Sequence, residues 1–214
     1  MEQRKIQNKK RYLLSFVIGT FIFLLVFLLT NAISKIELNR MDGIIGIIAQ
    51  NIFKDKLMYS FFNEPLCSEE SFGKISRDLA ISGSLIGSLE DKLGKTDRNV
   101  LKQKEIYTLI LLEHLEFLKD YNIKCNSSLQ NILFFYSNED SKIKKSETIG
   151  KVLDVIGNRY PQISIYAFDV NLDTLLIQSL LKKYQITEAP AIIINEKVTL
   201  TEIESSKDIE KYLE

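Results

Sequence analysis

Two cysteines, one histidine and a short run of lysines are the residues of this sequence with reactive or ligating chemistry to offer. Cys67 and Cys125 lie too far apart for a local redox motif, in which a helix N-terminus lowers a thiol pKa and makes a nucleophile. Their chemistry depends on the compartment. In an oxidising one they are expected to form a structural disulfide; in a reducing one they would be a pair of free buried thiols. A zinc centre needs about four nitrogen or sulfur ligands. His114 has no second histidine and no nearby cysteine in sequence, so it reads as packing or surface, and neither a metal nor a cofactor is expected. Lys142, Lys144 and Lys145 could hold an anion at a helix N-terminus; a solvated loop is the simpler reading. The balance of 28 basic against 28 acidic side chains lacks the basic excess of a nucleic-acid binder. A hydrophobic content of 45% argues against disorder.

The compartment follows from the N-terminus. Residues 13–33 (LLSFVIGTFIFLLVFLLTNAI) carry no charge. At about 21 residues they suffice to cross a hydrocarbon core of about 30 Å as a helix. Arg4, Lys5, Lys9, Lys10 and Arg11 precede them against one acid, Glu2, which marks residues 1–12 as a basic cytoplasmic tail. The rival is a cleaved signal peptide, whose apolar region runs about 7–15 residues and ends at a small-x-small site. This run is longer, and Thr30-Asn31-Ala32 is a poor site. An uncleaved, single-pass cell-membrane anchor with the C-terminal part outside the cytoplasm is therefore expected. Residues 34–66 read as a juxtamembrane helix, with Ile36, Met41, Ile44, Ile45, Ile48, Ile52 and Phe53 near 3–4 spacing. That helix could extend the span outward or lie along the bilayer surface; a packed juxtamembrane helix is the simpler reading. Pro65 ends it, because the residue before a proline is pushed out of the helical region.

Residues 67–125 read as a helical hairpin. Phe72, Ile75, Leu79, Ser82, Ile86, Leu89 and Leu93 follow the 3-4 spacing of a coiled-coil seam. Gly94 suits the left-handed residue that closes a helix, and Thr96 or Asp97 can cap the next one. Leu101, Thr108, Leu112, Leu115 and Tyr121 mark the second arm. Glu69, Glu70, Arg77, Glu90, Asp91 and Lys92 read as a solvated face. The seam can close the hairpin on itself or pair two copies as a homodimer, since two arms alone make a thin core. Antiparallel arms of matched length bring Cys67 and Cys125 together at the open end. The disulfide there would close about 58 residues, which the chain-entropy model values at roughly 4 kcal/mol.

Residues 130–214 alternate strand and helix. Apolar runs at Ile132-Leu133-Phe134-Phe135-Tyr136, at 163–168 and at 191–194 predict strands, and Val198-Thr199-Leu200 pairs back as a hairpin. Ser146 and Asp173 are expected to cap two intervening helices, and Ser206 to start a last one through Leu213. The order is β-α-β-α-β-β-α, with parallel pairing of the first two strands.

That order resembles the minimal thioredoxin fold, an α/β architecture. Its strongest local support is the segment ITEAPAIIIN at 186–195, which looks like the family's cis-proline at the head of a strand. The resemblance implies a cis-proline groove at Ala189 and Pro190 and places the family's Cys-x-x-Cys in the window 137–147. That window holds no cysteine. The motif positions fall on Ile143 and Ser146, or, one turn earlier, on Ser141 and Lys144. The overall plan is similar to membrane-tethered thioredoxin-like proteins of prokaryotes. It implies a redox-inactive domain that binds a protein or extended peptide, or serves in assembly, outside the cytoplasm. Two other readings are an oxidoreductase using Cys67 or Cys125 unconventionally, and a helical spacer that oligomerises.

Overall fold

A computed structural model describes residues 9–62, 67 and 69–213 of the chain. The proposed stop at Pro65 and most of the cytoplasmic tail lie outside the described residues. Helix α1 spans Lys9–Phe62 without a break, so the juxtamembrane segment extends the apolar run outward. Its two halves have opposite surroundings. Residues 9–33 are exposed throughout, whereas Met41, Ile45, Ile48 and Ile52 are buried. Helical spacing places those four on one stripe. That stripe supplies the stabilisation that offsets the weak helix propensity of the glycines near it.

The stripe packs on the hairpin formed by α2 (Glu69–Leu93) and α3 (Arg98–Lys124). The helical part is thus three-stranded, not two, and the core expected to be thin gains the outer half of α1. Gly94 closes α2 with φ +93°, where an L side chain would be strained. Asp97 caps α3 by accepting from the Asn99 and Val100 amides at 2.8 and 3.3 Å. Phe72, Ile75, Leu79, Ser82, Ile86 and Leu89 are buried as the seam predicts, but Leu101 faces outward. The Cys67–Cys125 disulfide joins the open end of the hairpin, with Cα atoms 5.5 Å apart.

The remainder is β1 (Gln130–Tyr136), α4 (Ile143–Arg159), β2 (Ile163–Asp169), α5 (Leu175–Lys183), β3 (Ala191–Ile194), β4 (Val198–Leu200) and α6 (Ser206–Glu210). The sheet order is β2-β1-β3-β4. Strands β1 and β2 are parallel, and β3 is antiparallel to both β1 and β4. Period-2 alternation sorts the side chains onto two faces. Leu133, Phe135, Tyr166, Phe168 and Ile193 meet α5 and the helical hairpin. Ile132, Phe134, Ile163, Ile192 and Ile194 meet α4 and α6. The peptide Ala189–Pro190 is cis at the entry to β3.

Three boundaries differ from the sequence expectations. Helix α4 starts at Ile143 with Lys142 as N-cap, so Ser146 lies inside it. The Ser146 hydroxyl instead accepts from the Ser137 amide at 3.0 Å and ties the loop back to the helix. Helix α5 is capped by Thr174, which accepts from the Ile177 amide at 3.3 Å, while Asp173 accepts from the Gln178 side chain. Helix α6 ends at Glu210, short of Leu213.

Candidate functional site

The base of the hairpin and the start of β1 lie together, because Asn122 near the end of α3 binds both the amide and the carbonyl of Leu129. Strands β1 and β2 therefore run from the disulfide end towards the Gly94 turn. Their C-terminal ends meet α2, the first half of α3 and the start of α4 around a cavity of about 360 Å³. Here polar side chains from both halves of the fold converge.

The apolar wall comes from Ile86 on α2, Phe134 and Ala167 on the sheet, and Ile143 on α4. Gly87 opens the α2 side, since a Cβ there would have no neighbour within 4 Å. The floor is charged. Lys104, 3% exposed, makes ion pairs with Asp169 and Glu90. Asn138 adds its side-chain amide to Asp169 at 2.9 Å and Glu90 at 3.3 Å. Asn171 accepts from the Asn138 amide at 2.7 Å and the Ser137 hydroxyl at 3.0 Å, and its own backbone amide donates to Asp169 at 2.9 Å. Each carboxylate has more than one donor, which is the condition for holding charge away from water. Burial first, then the charges of Asp169 and Glu90, push the Tyr136 hydroxyl well above its ordinary range. The Lys104 ammonium sits 5.5 Å from that ring.

At the rim, Asp91, Glu147 and Lys95 line the opening and make no ion pair among the described residues. Four carboxylates against two ammonium groups leave the lining negative.

The sequence-derived positions fall unevenly around this cavity. Ile143 and Ser146 line it; Ser141 and Lys144 are exposed and do not. Ala189 and Pro190 are buried at the head of β3 and are not part of the wall. Cys67 and Cys125 are at the other end of the hairpin. Glu90, expected on a solvated face, is instead part of the floor, because Lys104 draws it inward. Lys104, Asn138, Asp169 and Asn171 had no sequence signal beyond being polar, since the contacts that join α3, the β1–α4 loop and the end of β2 span 31 to 65 positions.

His114 is fully buried and shares a 2.8 Å hydrogen bond with the Tyr166 hydroxyl. Phe72 lies 5.0 Å from its ring. Burial lowers its pKa to about 4. It is a neutral packing residue away from the cavity lining. Among the described residues no group of three His, Cys, Asp or Glu is arranged to hold a metal ion.

No protein-family model matches the chain, and no curated protein matches it. Among solved structures it is similar to thioredoxin O2 from Arabidopsis thaliana in the oxidised state, at 16% identity and a TM-score of 0.35, over 46% of this chain and 87% of that one.

Proposed function

We propose that the chain is a membrane-anchored, thioredoxin-like module that binds protein outside the cytoplasm and does no thiol–disulfide chemistry. One observation carries the reading. The cavity occupies the β1–α4 junction, where the thioredoxin-like plan places its reactive cysteine pair, and the wall there is Ile143 and Ser146. The two thiols of the chain are bonded to each other at the opposite end of the hairpin. Ser146 is no substitute nucleophile. Its hydroxyl is held by the Ser137 amide, and the one histidine, the natural base, is bonded to Tyr166. What remains is a concave surface with apolar walls and a few convergent polar groups, the usual form of a binding site.

The anchor is supported by α1, the one helix among the described residues long and apolar enough to cross a membrane, with none of its most apolar window buried. So large an exposed apolar surface is unstable in water and suited to lipid. The test has two parts. Protease added to intact cells or spheroplasts should digest the C-terminal domain and spare the N-terminal tail. Full-length protein in detergent should reduce insulin no faster than a thiol blank. Turnover that disappears on Cys125→Ser would overturn the non-enzymatic reading.

A further inference from the structure

The outer half of α1 sets the height of the cavity above the apolar span. Glu37, four residues beyond Ile33, pairs with Lys92 at the end of α2. Asp42 accepts from the Gln103 side chain at 2.8 Å, and Gln103 is the neighbour of Lys104 in α3. Asp42 lies nine residues beyond Ile33 along the unbroken helix, which at 1.5 Å per residue is about 13 Å. The headgroup layer on one side of a bilayer accounts for about 5–8 Å of that. With Ile33 at the edge of the hydrocarbon core and α1 along the bilayer normal, Asp42 and the turn of α3 that binds it stand about 5–8 Å beyond the headgroup layer. The strand ends and the Gly94 turn face the membrane, while the disulfide end points away from it.

We infer that the cavity takes the exterior juxtamembrane flank of a second membrane protein, seating an apolar side chain against Ile86 and Phe134 and a neighbouring Lys or Arg between Asp91 and Glu147. The volume of about 360 Å³ suits one or two side chains rather than a folded surface. The negative balance of the lining favours a basic residue, and the two rim carboxylates have no competing ion pair among the described residues. A partner tethered in the same bilayer also gains effective concentration, so a shallow contact suffices. This rests on the anchored, binding reading above and adds the class of partner.

The test uses the full-length chain in the membranes of the cells that make it. A photo-crosslinking phenylalanine analogue replaces Lys95 at the rim, with a second version at exposed Lys151 on α4 as control. The expected product is a Lys95-dependent adduct to an integral membrane protein. Its linked peptide should lie within about ten residues of an apolar span and contain Lys or Arg. Gly87→Leu, which fills the open side of the cavity, and Glu147→Lys, which reverses a rim charge, should each cut adduct yield about tenfold or more. An intact Cys67–Cys125 bond on non-reducing gels shows that each variant has folded. Adducts to lipid alone, to soluble proteins, or equal at Lys95 and Lys151 would overturn the inference while leaving an anchored binding module standing. A C-terminal domain protected from external protease would overturn both.

Discussion

Helix α3 meets strand β2 through two buried polar contacts, ten residues apart on the helix. At His114 the ring bonds the Tyr166 hydroxyl amid Phe72 and Phe117, and burial keeps it neutral. At Lys104 the helix offers a charge, and Asp169, three residues along β2, answers it with Glu90 and Asn138. The first contact is enclosed by aromatic rings. The second opens onto a cavity. Burial alone therefore does not mark a site. A neutral pair can be enclosed by aromatics with a single hydrogen bond between its members, whereas an ionic cluster needs donors from several elements.

The most disruptive way to probe that contrast is to free both regions from their common frame. Cys67→Ser with Cys125→Ser reopens a loop whose closure the chain-entropy model values at roughly 4 kcal/mol. Tyrosine-monitored denaturation of the full chain in detergent should show a stability decrease of that size, with the hairpin and the sheet unfolding in a single transition. Separate transitions would show that the two fold independently.

Lys104→Met aims at the ionic contact alone. It strands Glu90 and Asp169, and breaking a buried pair costs about 3–5 kcal/mol. Adding Glu90→Gln and Asp169→Asn should recover most of the loss, since the cluster's benefit is local neutralisation. Failure of the triple variant to recover would mean that the charges themselves specify the packing.

The neutral contact should reveal itself through pH. The unfolded His114 ring gains a proton as pH falls through about 6.5, but the folded one holds off until about 4. Between those values the unfolded state binds more protons, so this group's contribution to stability falls as pH falls, by up to about 3 kcal/mol. His114→Gln should flatten that part of the stability profile. An unchanged slope would place the pH dependence elsewhere.

The smallest effect compares two glycines of α2. A Cβ at Gly83 would lie 2.9 Å from the Tyr107 hydroxyl, which donates to the Leu79 carbonyl at 2.9 Å. Gly83→Ala should therefore cost about 1 kcal/mol despite its better helix propensity. At Gly87 the space is open, and Gly87→Ala should stabilise by about 0.5–1 kcal/mol. Thermal melts of the two variants should shift in opposite directions, and shifts of the same sign would break the comparison.

Local pattern was enough for much of the architecture. The uncharged run at 13–33, the seam from Phe72 to Leu89, the strand-helix alternation after Gln130 and the matched arms ending at Cys67 and Cys125 are all short-range signals of hydrophobic spacing and length. Cap positions were less legible. Ser146 and Asp173 have the chemistry of caps, but Ser137 and Gln178 engage them first. The continuation of α1 through Gly43 and Gly46 was undecided in sequence, because packing on α2 and α3, not propensity, sustains it. The floor of the cavity belonged wholly to the tertiary structure. Lys104, Glu90, Asn138 and Asp169 look like ordinary surface residues in any local window, and their partners lie up to 65 positions away. Periodicity reports which face of an element is buried; only the packing of α3 against β2 decides which charges are carried inside with it, because an ion becomes buried only where another element has already placed its counter-charge.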